Sequence, residues 1–389
     1  MSSNENKILT WGNRMIGIGG AAALKWRGPQ RTNIILGVGR YHVIIIRNNE
    51  NWAWGERRYG RIGDQFTGTA NAQTTPKKVL DEWDFVEVGG GVDWSLGLDS
   101  DGKAWTWGFN DRGQLGDGTN TTRYIPILVS DTIEFQKIST GDKTCIGIDK
   151  DGKLWSWGSG TYGALGNGHA FTQTAYHIKT PTRMLVEDDF IDVSMGLNHG
   201  AAIDVNGDIW TWGYNTTGQL GHGNTTNNGT PTRIVTSTKW SKVACGRLHT
   251  LALDLEGNLW GWGRNNNGQL GLGLTVSSRT TPGQLNNGQK WTELSAGFNN
   301  SLGIDSTGDL WVWGNGSFGE LGRGDGVTGF IRSPENLSGG RKYKAIGTGV
   351  YSSYAMDVDS NIWTTGYNAF GQLGVGDTTN RYVFTKVLI

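Results

Sequence analysis

Short runs of alternating large and small residues mark this chain, and the runs return at a regular interval. Leu96 and Leu98, Ile146 and Ile148, Leu251 and Leu253, and Leu302 and Ile304 each flank one small residue, Gly97, Gly147, Ala252 and Gly303. Side chains of a strand alternate between its two faces. Such a run therefore carries bulk on one face and admits a close neighbour on the other. A second run places two tryptophans two positions apart, on one face of a strand: Trp105/Trp107, Trp155/Trp157, Trp210/Trp212, Trp260/Trp262 and Trp311/Trp313. Between the runs, Asp-x-x-Gly predicts a hairpin at Asp99/Gly102, Asp149/Gly152, Asp204/Gly207, Asp254/Gly257 and Asp305/Gly308. Asp there bonds the backbone two residues on, and Gly takes the left-handed position. Upstream lies a further strand, aromatic at one end and aliphatic three residues later, as in Phe85/Val88, Phe135/Ile138 and Trp240/Val243.

The second tryptophan is followed by glycine, and this pair sets the period. Gly12, Gly55, Gly108, Gly158, Gly213, Gly263, Gly314 and Gly366 are separated by steps of 43, 53, 50, 55, 50, 51 and 52 residues. At the last anchor Thr365 replaces the tryptophan. A Gly-x-Leu-Gly loop follows in six copies, Gly113–Gly116 the first, and then a proline column of Pro76, Pro126, Pro181, Pro231, Pro282 and Pro334. Proline suits the start of an edge strand, where no ladder donor is needed. Each repeat thus predicts three or four short strands and no helix. A sheet with two apolar faces must be covered on both, and stacking such sheets around an axis covers them. The expected fold is all-β: a seven-bladed propeller of four-stranded antiparallel blades in one domain, 1–389. Residues 1–7 are read as a flexible tail, 8–31 as an extra half-repeat, and 32–389 as seven full repeats.

Composition sharpens this picture. The chain holds 63 Gly and 19 Trp, spread from end to end, which fits many strands and tight turns rather than separate domains. Lys+Arg and Asp+Glu both total 35, so there is no net charge to attract nucleic acid or an anionic membrane. Cys145 and Cys245 occupy different repeat positions, against a disulfide framework. Met1–Lys7 is polar, and no apolar run reaches the ~20 residues of a spanning helix. The expectation is a cytoplasmic or virion-associated protein without membrane insertion.

Together these columns resemble the repeat of the regulator of chromosome condensation family. Gly246-Arg247-Leu248-His249-Thr250-Leu251-Ala252-Leu253-Asp254 carries the resemblance best, followed by Gly196 to Asp204. It extends over about residues 8–382. The resemblance implies a seven-bladed propeller closed by pairing N- and C-terminal strands. It departs from the pattern in the His column, which reads His42, Trp94, Thr144, His199, His249, Asn300 and Ser352. The first repeat also departs, with Arg47 in place of the turn Asp.

No metalloprotease, Cys-x-x-Cys, phosphate-loop or serine-nucleophile motif is present, so catalytic, cofactor and metal residues are all expected to be none. His42, His199 and His249 are read as hydrogen-bonded structural histidines. His169 and His177 share a loop but lack a third ligand. Asp99–Gly102 and Asp149–Gly152 are read as turns rather than calcium loops. The variable stretch between Gly-x-Leu-Gly and the proline is the expected partner-binding face, through Phe66, Tyr124, Phe171, Tyr176, Phe330 and Tyr382. The leading expectation is a non-enzymatic protein–protein interaction scaffold, built in several copies into a larger assembly such as a virion. The resemblance also implies an alternative, guanine-nucleotide exchange on a small GTPase. A third class is glycan binding or enzyme inhibition.

Overall fold

The computed structural model describes residues 34–68, 72–168, 176–285, 287–327 and 329–389, together with the backbone of two short strands, Leu9–Trp11 and Arg14–Ile16. Phe171, His169 and most of the extra half-repeat lie outside the described residues. Seven four-stranded antiparallel sheets span 34–78, 85–128, 135–183, 190–233, 240–284, 291–336 and 343–386, numbered here as blades 1 to 7. Within each blade the strands follow chain order from the axis outward. The first strands of the blades neighbour one another and line a central channel. The all-β seven-bladed propeller expected from the repeat is therefore present.

Both tryptophan columns have a bonding role. In blades 2 to 7 the first indole donates to the turn aspartate six residues earlier, as from Trp105 to Asp99 (2.8 Å) and from Trp311 to Asp305 (2.8 Å). The other carboxylate oxygen accepts turn amides, as from Lys103 N (2.8 Å). These carboxylates are thus engaged by their own hairpins, which bears out the turn reading. In blade 1 Arg47 stands in the Asp position, and the buried Trp52 Nε1 has no partner. The second indole bonds the preceding blade: Trp107 to Arg61 O (3.0 Å), Trp157 to Gln114 O (3.1 Å), Trp212 to Ala164 O (3.0 Å), Trp262 to Gln219 O (2.9 Å) and Trp313 to Gln269 O (2.9 Å). Burying each such ring is worth about 1.5–3 kcal/mol or more.

The expected pairing of N- and C-terminal strands is not seen among the described residues. Among the described residues every blade is one uninterrupted stretch, because Arg381–Lys386 supplies the fourth strand of blade 7 from the C-terminal end. Leu9–Trp11 pairs instead with Arg14–Ile16. Blade 7 meets blade 1 through the same contacts that join other neighbours. Trp54 Nε1 donates to Gln372 O (2.8 Å), and Gly376 N donates to Thr74 O on the outer strand (2.9 Å). The matching amides Gly118, Gly223 and Gly273 reach Lys179, Thr280 and Arg332 in the same way.

The missing tryptophan at Thr365 is compensated. Its hydroxyl donates to Gly319 O (2.8 Å), replacing the indole bond. Phe384 occupies the column that holds proline in the other blades, and its ring lies where a Cβ on Gly322 would meet it at 2.6 Å. The matching glycines Gly116, Gly221, Gly271 and Gly374 face an anchor tryptophan there. Phe384 thus fills space that tryptophan fills elsewhere.

A candidate interaction face at the channel mouth

Two sets of loops meet at one end of the ring: those joining first to second strands, and those joining third to fourth. The Trp-Gly glycine ties them together. It sits at a register shift against the outer strand, with φ between 92° and 110°, a region that favours glycine. A Cβ on Gly158 would lie 2.3 Å from Lys143 O, and one on Gly366 2.3 Å from Tyr351 O. The next residue then donates its amide to the neighbouring loop, as from Arg264 to Leu248 O (2.8 Å) and from Tyr367 to Tyr351 O (2.9 Å). Each blade thereby presents both loops as one rigid unit.

The residue before the loop glycine packs on the next blade. This brings rings together: Tyr59 with Phe109 (centroids 4.4 Å apart), Tyr162 with Tyr214 (4.5 Å) and Phe318 with Tyr367 (5.7 Å). Between blades 6, 7 and 1 the pairs merge into an arc. Phe298 and Phe318 flank Tyr351 at 5.8 and 4.8 Å, Tyr351 lies 6.2 Å from Tyr367, and Phe370 bridges Tyr367 (6.3 Å) and Tyr41 (4.6 Å). Arginines flank both ends: Arg247 over Phe298 at 3.9 Å and Arg40 over Tyr41 at 4.8 Å. Phe318 is 38% exposed.

Beneath Phe318 lies Glu320, in the column occupied by Gln114, Gln219, Gln269 and Gln372. Its carboxylate accepts from Phe318 N (2.7 Å) and Asn315 Nδ2 (2.6 Å). Burial pushes its pKa up to about 7. On the opposite side of the mouth, burial also raises Asp142 above the usual carboxylate range. There Arg61 pairs with Glu56 and Asp93, both at 2.9 Å, and Lys143 pairs with Asp111 at 2.8 Å. Deeper in the channel, Lys137 pairs with Asp192, and Lys242 with Glu293 at 2.6 Å.

The histidine column is structural. His42, His199 and His249 reach Ser95 (2.8 Å), Thr250 (3.0 Å) and Ser301 (3.0 Å) of the following blade. Burial lowers His199 to about 4 and His249 to about 3, and holds His42 well below 6.5.

The expected partner-binding residues stand around the rim on five blades. Phe66 lies under the Arg57 guanidinium (3.8 Å), and Phe330 is 41% exposed beside Arg332 (4.6 Å). Tyr176 is 39% exposed. Tyr124 and Tyr382 pack against Gly60 and Gly319 of the preceding blade. The sequence reading missed the arc, although the two positions bracketing the short loop after Trp-Gly carry its signal: aromatics fill them at Phe109, Tyr214 and Tyr367, and at Tyr59, Tyr162, Phe318 and Phe370. Among the described residues, no group of three or more His, Cys, Asp or Glu is placed to hold a metal ion, and no helix is long and apolar enough to cross a membrane.

This architecture is that of a repeat propeller whose conspicuous polar side chains serve inter-blade bonding and turns, with its loops gathered at the channel mouth. The RCC1-like domain family model matches residues 170–389, and RCC1 repeat models match 101–148 and 135–164. The chain belongs to this family. It is 29% identical over 370 residues to the ultraviolet-B receptor UVR8 of Arabidopsis thaliana, covering 94% of this chain and 60% of that protein. It is 30% identical over 130 residues to the human E3 ubiquitin-protein ligase HERC2, only 3% of that protein's length. The fold is similar to that of Prp20p from Saccharomyces cerevisiae, a protein characterised for binding Gsp1p and histones, with TM-score 0.77 and 20% identity over 92% of this chain and 88% of that one. Human WBSCR16 is similar at TM-score 0.74 and 19% identity, over 86% of this chain and 93% of that one.

Proposed function

We propose that this protein is a non-enzymatic scaffold that binds a protein partner across the channel-mouth face. The observation carrying this reading is the ring arc from Phe298 to Tyr41, which joins three blades and ends in an arginine at each side. Aromatic residues and arginine are enriched where interfaces are centred, and rigid rings lose little entropy on binding. Protein partners of family members, such as Gsp1p and histones for Prp20p, fit a role of this kind. A place in a larger assembly such as a virion belongs to the same proposal, and stoichiometric presence in purified particles is its test. The rim aromatics Phe66, Tyr124, Phe330 and Tyr382 would extend the contact outward.

The direct test is cross-linking of the native complex with mass-spectrometric mapping. Cross-links should cluster on the mouth loops, and Phe318→Ala should weaken the complex at least tenfold while leaving the melting temperature within a few degrees. Cross-links confined to the opposite end of the ring would sink the reading.

A further inference from the structure

We infer that the part of the mouth formed by blades 5, 6 and 7 recognises an acidic peptide segment of a protein partner, with its carboxylates on Arg247 and Arg264 and its apolar residues over the ring arc. This rests on the reading of the mouth as a binding face, and it adds the chemistry of what binds.

Charge is distributed unevenly around the mouth. On blades 1 to 3 most mouth cations have acidic partners: Arg61 lies between Glu56 and Asp93, and both Lys143 and Arg112 approach Asp111 (2.8 and 3.5 Å), whereas Arg40 lies over Tyr41. On blade 5 the two mouth arginines do not have such partners. Arg247 and Arg264 sit on loops joined by the bond from Arg264 N to Leu248 O (2.8 Å), and among the described residues neither forms an ion pair. Burial and the neighbouring Arg264 charge lower the pKa of Arg247. In the stretches 246–249, 264–268, 297–300, 315–320, 349–352 and 367–371 the one carboxylate is Glu320, which is buried; Asp325 and Asp377 lie farther along the loops joining third to fourth strands, and Asp377 pairs with Arg381 at 2.6 Å. An incoming carboxylate would supply the missing charge, in the bidentate geometry that guanidinium favours.

Two further observations point to a peptide. Arg247 Nε and Asn299 Oδ1, on the loops of adjacent blades, are buried and have no hydrogen-bond partner. A buried donor and a buried acceptor left unpaired cost free energy that a ligand carrying both kinds of group recovers. The Arg247 guanidinium is also held over Phe298 at 3.9 Å, so little of its freedom remains to be lost on binding. A nucleic acid strand fits less well, because tracking a phosphate backbone needs a continuous basic groove and the chain carries no net positive charge.

The test is selection of random linear peptides displayed against the full chain, followed by binding measurements on the winners. Enriched peptides should carry Asp or Glu beside apolar residues and should bind more weakly as salt is raised. They should bind at least tenfold more weakly to R247Q/R264Q and unchanged to R112Q on the acidic side. Selection against Arg264→Glu should lose the acidic preference. Each variant is used at an unchanged melting temperature. Failure to enrich any peptide, enrichment without acidic bias, acidic peptides indifferent to both arginines, or tighter arginine-dependent binding of a single-stranded oligonucleotide would each overturn the inference. A native partner cross-linked to the mouth while the selected peptides are neutral would sink the acidic segment alone and leave the binding face standing.

Discussion

Single residues that break their column carry the clearest chemistry. Glu320 stands where four other blades have glutamine, and its backbone acceptor role is the one glutamine performs at Gln219 and Gln372. Because its folded pKa of about 7 lies above the unfolded value near 4.5, the folded state keeps its proton longer. The site therefore costs nothing below about pH 4.5, and stability is lost as pH rises toward 7. Glu320→Gln should raise stability by about 1–3 kcal/mol at pH 8 and by almost nothing at pH 4.5, measured by urea unfolding at both pH values. The buried histidines act in the opposite direction. Their folded pKa values lie below 6.5, so their neutral state contributes fully above that pH, and stability falls as acid charges the unfolded chain first. Asn300 performs the same inter-blade role without titrating, through Ser353 at 3.0 Å. His199→Asn with His249→Asn should flatten the loss between pH 6.5 and 4, in the same unfolding series.

At the scale of the element, the strand ending in Trp-Gly and the outer strand that follows it depend on each other. Thr365 and Phe384 depart from their columns together, and in the structure their side chains share one space. Thr365→Trp alone should overfill that space and cost about 1–3 kcal/mol. Adding Phe384→Pro should recover most of the loss, giving a coupling energy of at least 1 kcal/mol in a double-mutant cycle. Additive losses would mean that Phe384 does not stand in for the ring. The strands themselves were legible in the sequence because their signal is local: alternation, an Asp-x-x-Gly turn, a Trp-x-Trp pair. The arc was not, because each of its contacts joins a loop of one blade to a loop of the next, and no window of the sequence holds both. The compensation by Phe384 was hidden for the same reason; it reads as a lost proline until the neighbouring blade is in place.

At the scale of the molecule, the period made the blade count legible, while the surplus Trp11-Gly12 anchor pointed to a closing strand that the described blades do not use. All four strands of blade 7 come from 343–386, and its contacts to blade 1 repeat those of the other interfaces. A chain lacking residues 1–31 should therefore unfold cooperatively within a few degrees of the intact protein in a thermal melt. A loss of cooperativity would assign that segment a part in closure. Removal of 376–389 deletes the outer strand of blade 7 and should abolish the transition.

The bond from Trp54 to Gln372 O has a topological consequence. An open repeat array needs specialised units at its two ends, and it can fray from either of them. Here the junction between the last blade and the first keeps the indole and outer-strand amide bonds found at other junctions, so chain order by itself leaves no open end in the ring. The polypeptide could be opened at another boundary, between 233 and 240 for example, with its present ends joined by a short linker, and the same seven interfaces would re-form. Such a circular permutant should match the parent in circular dichroism and in ligand binding at the mouth. The order in which the blades are encoded would then matter for synthesis but not for the finished structure.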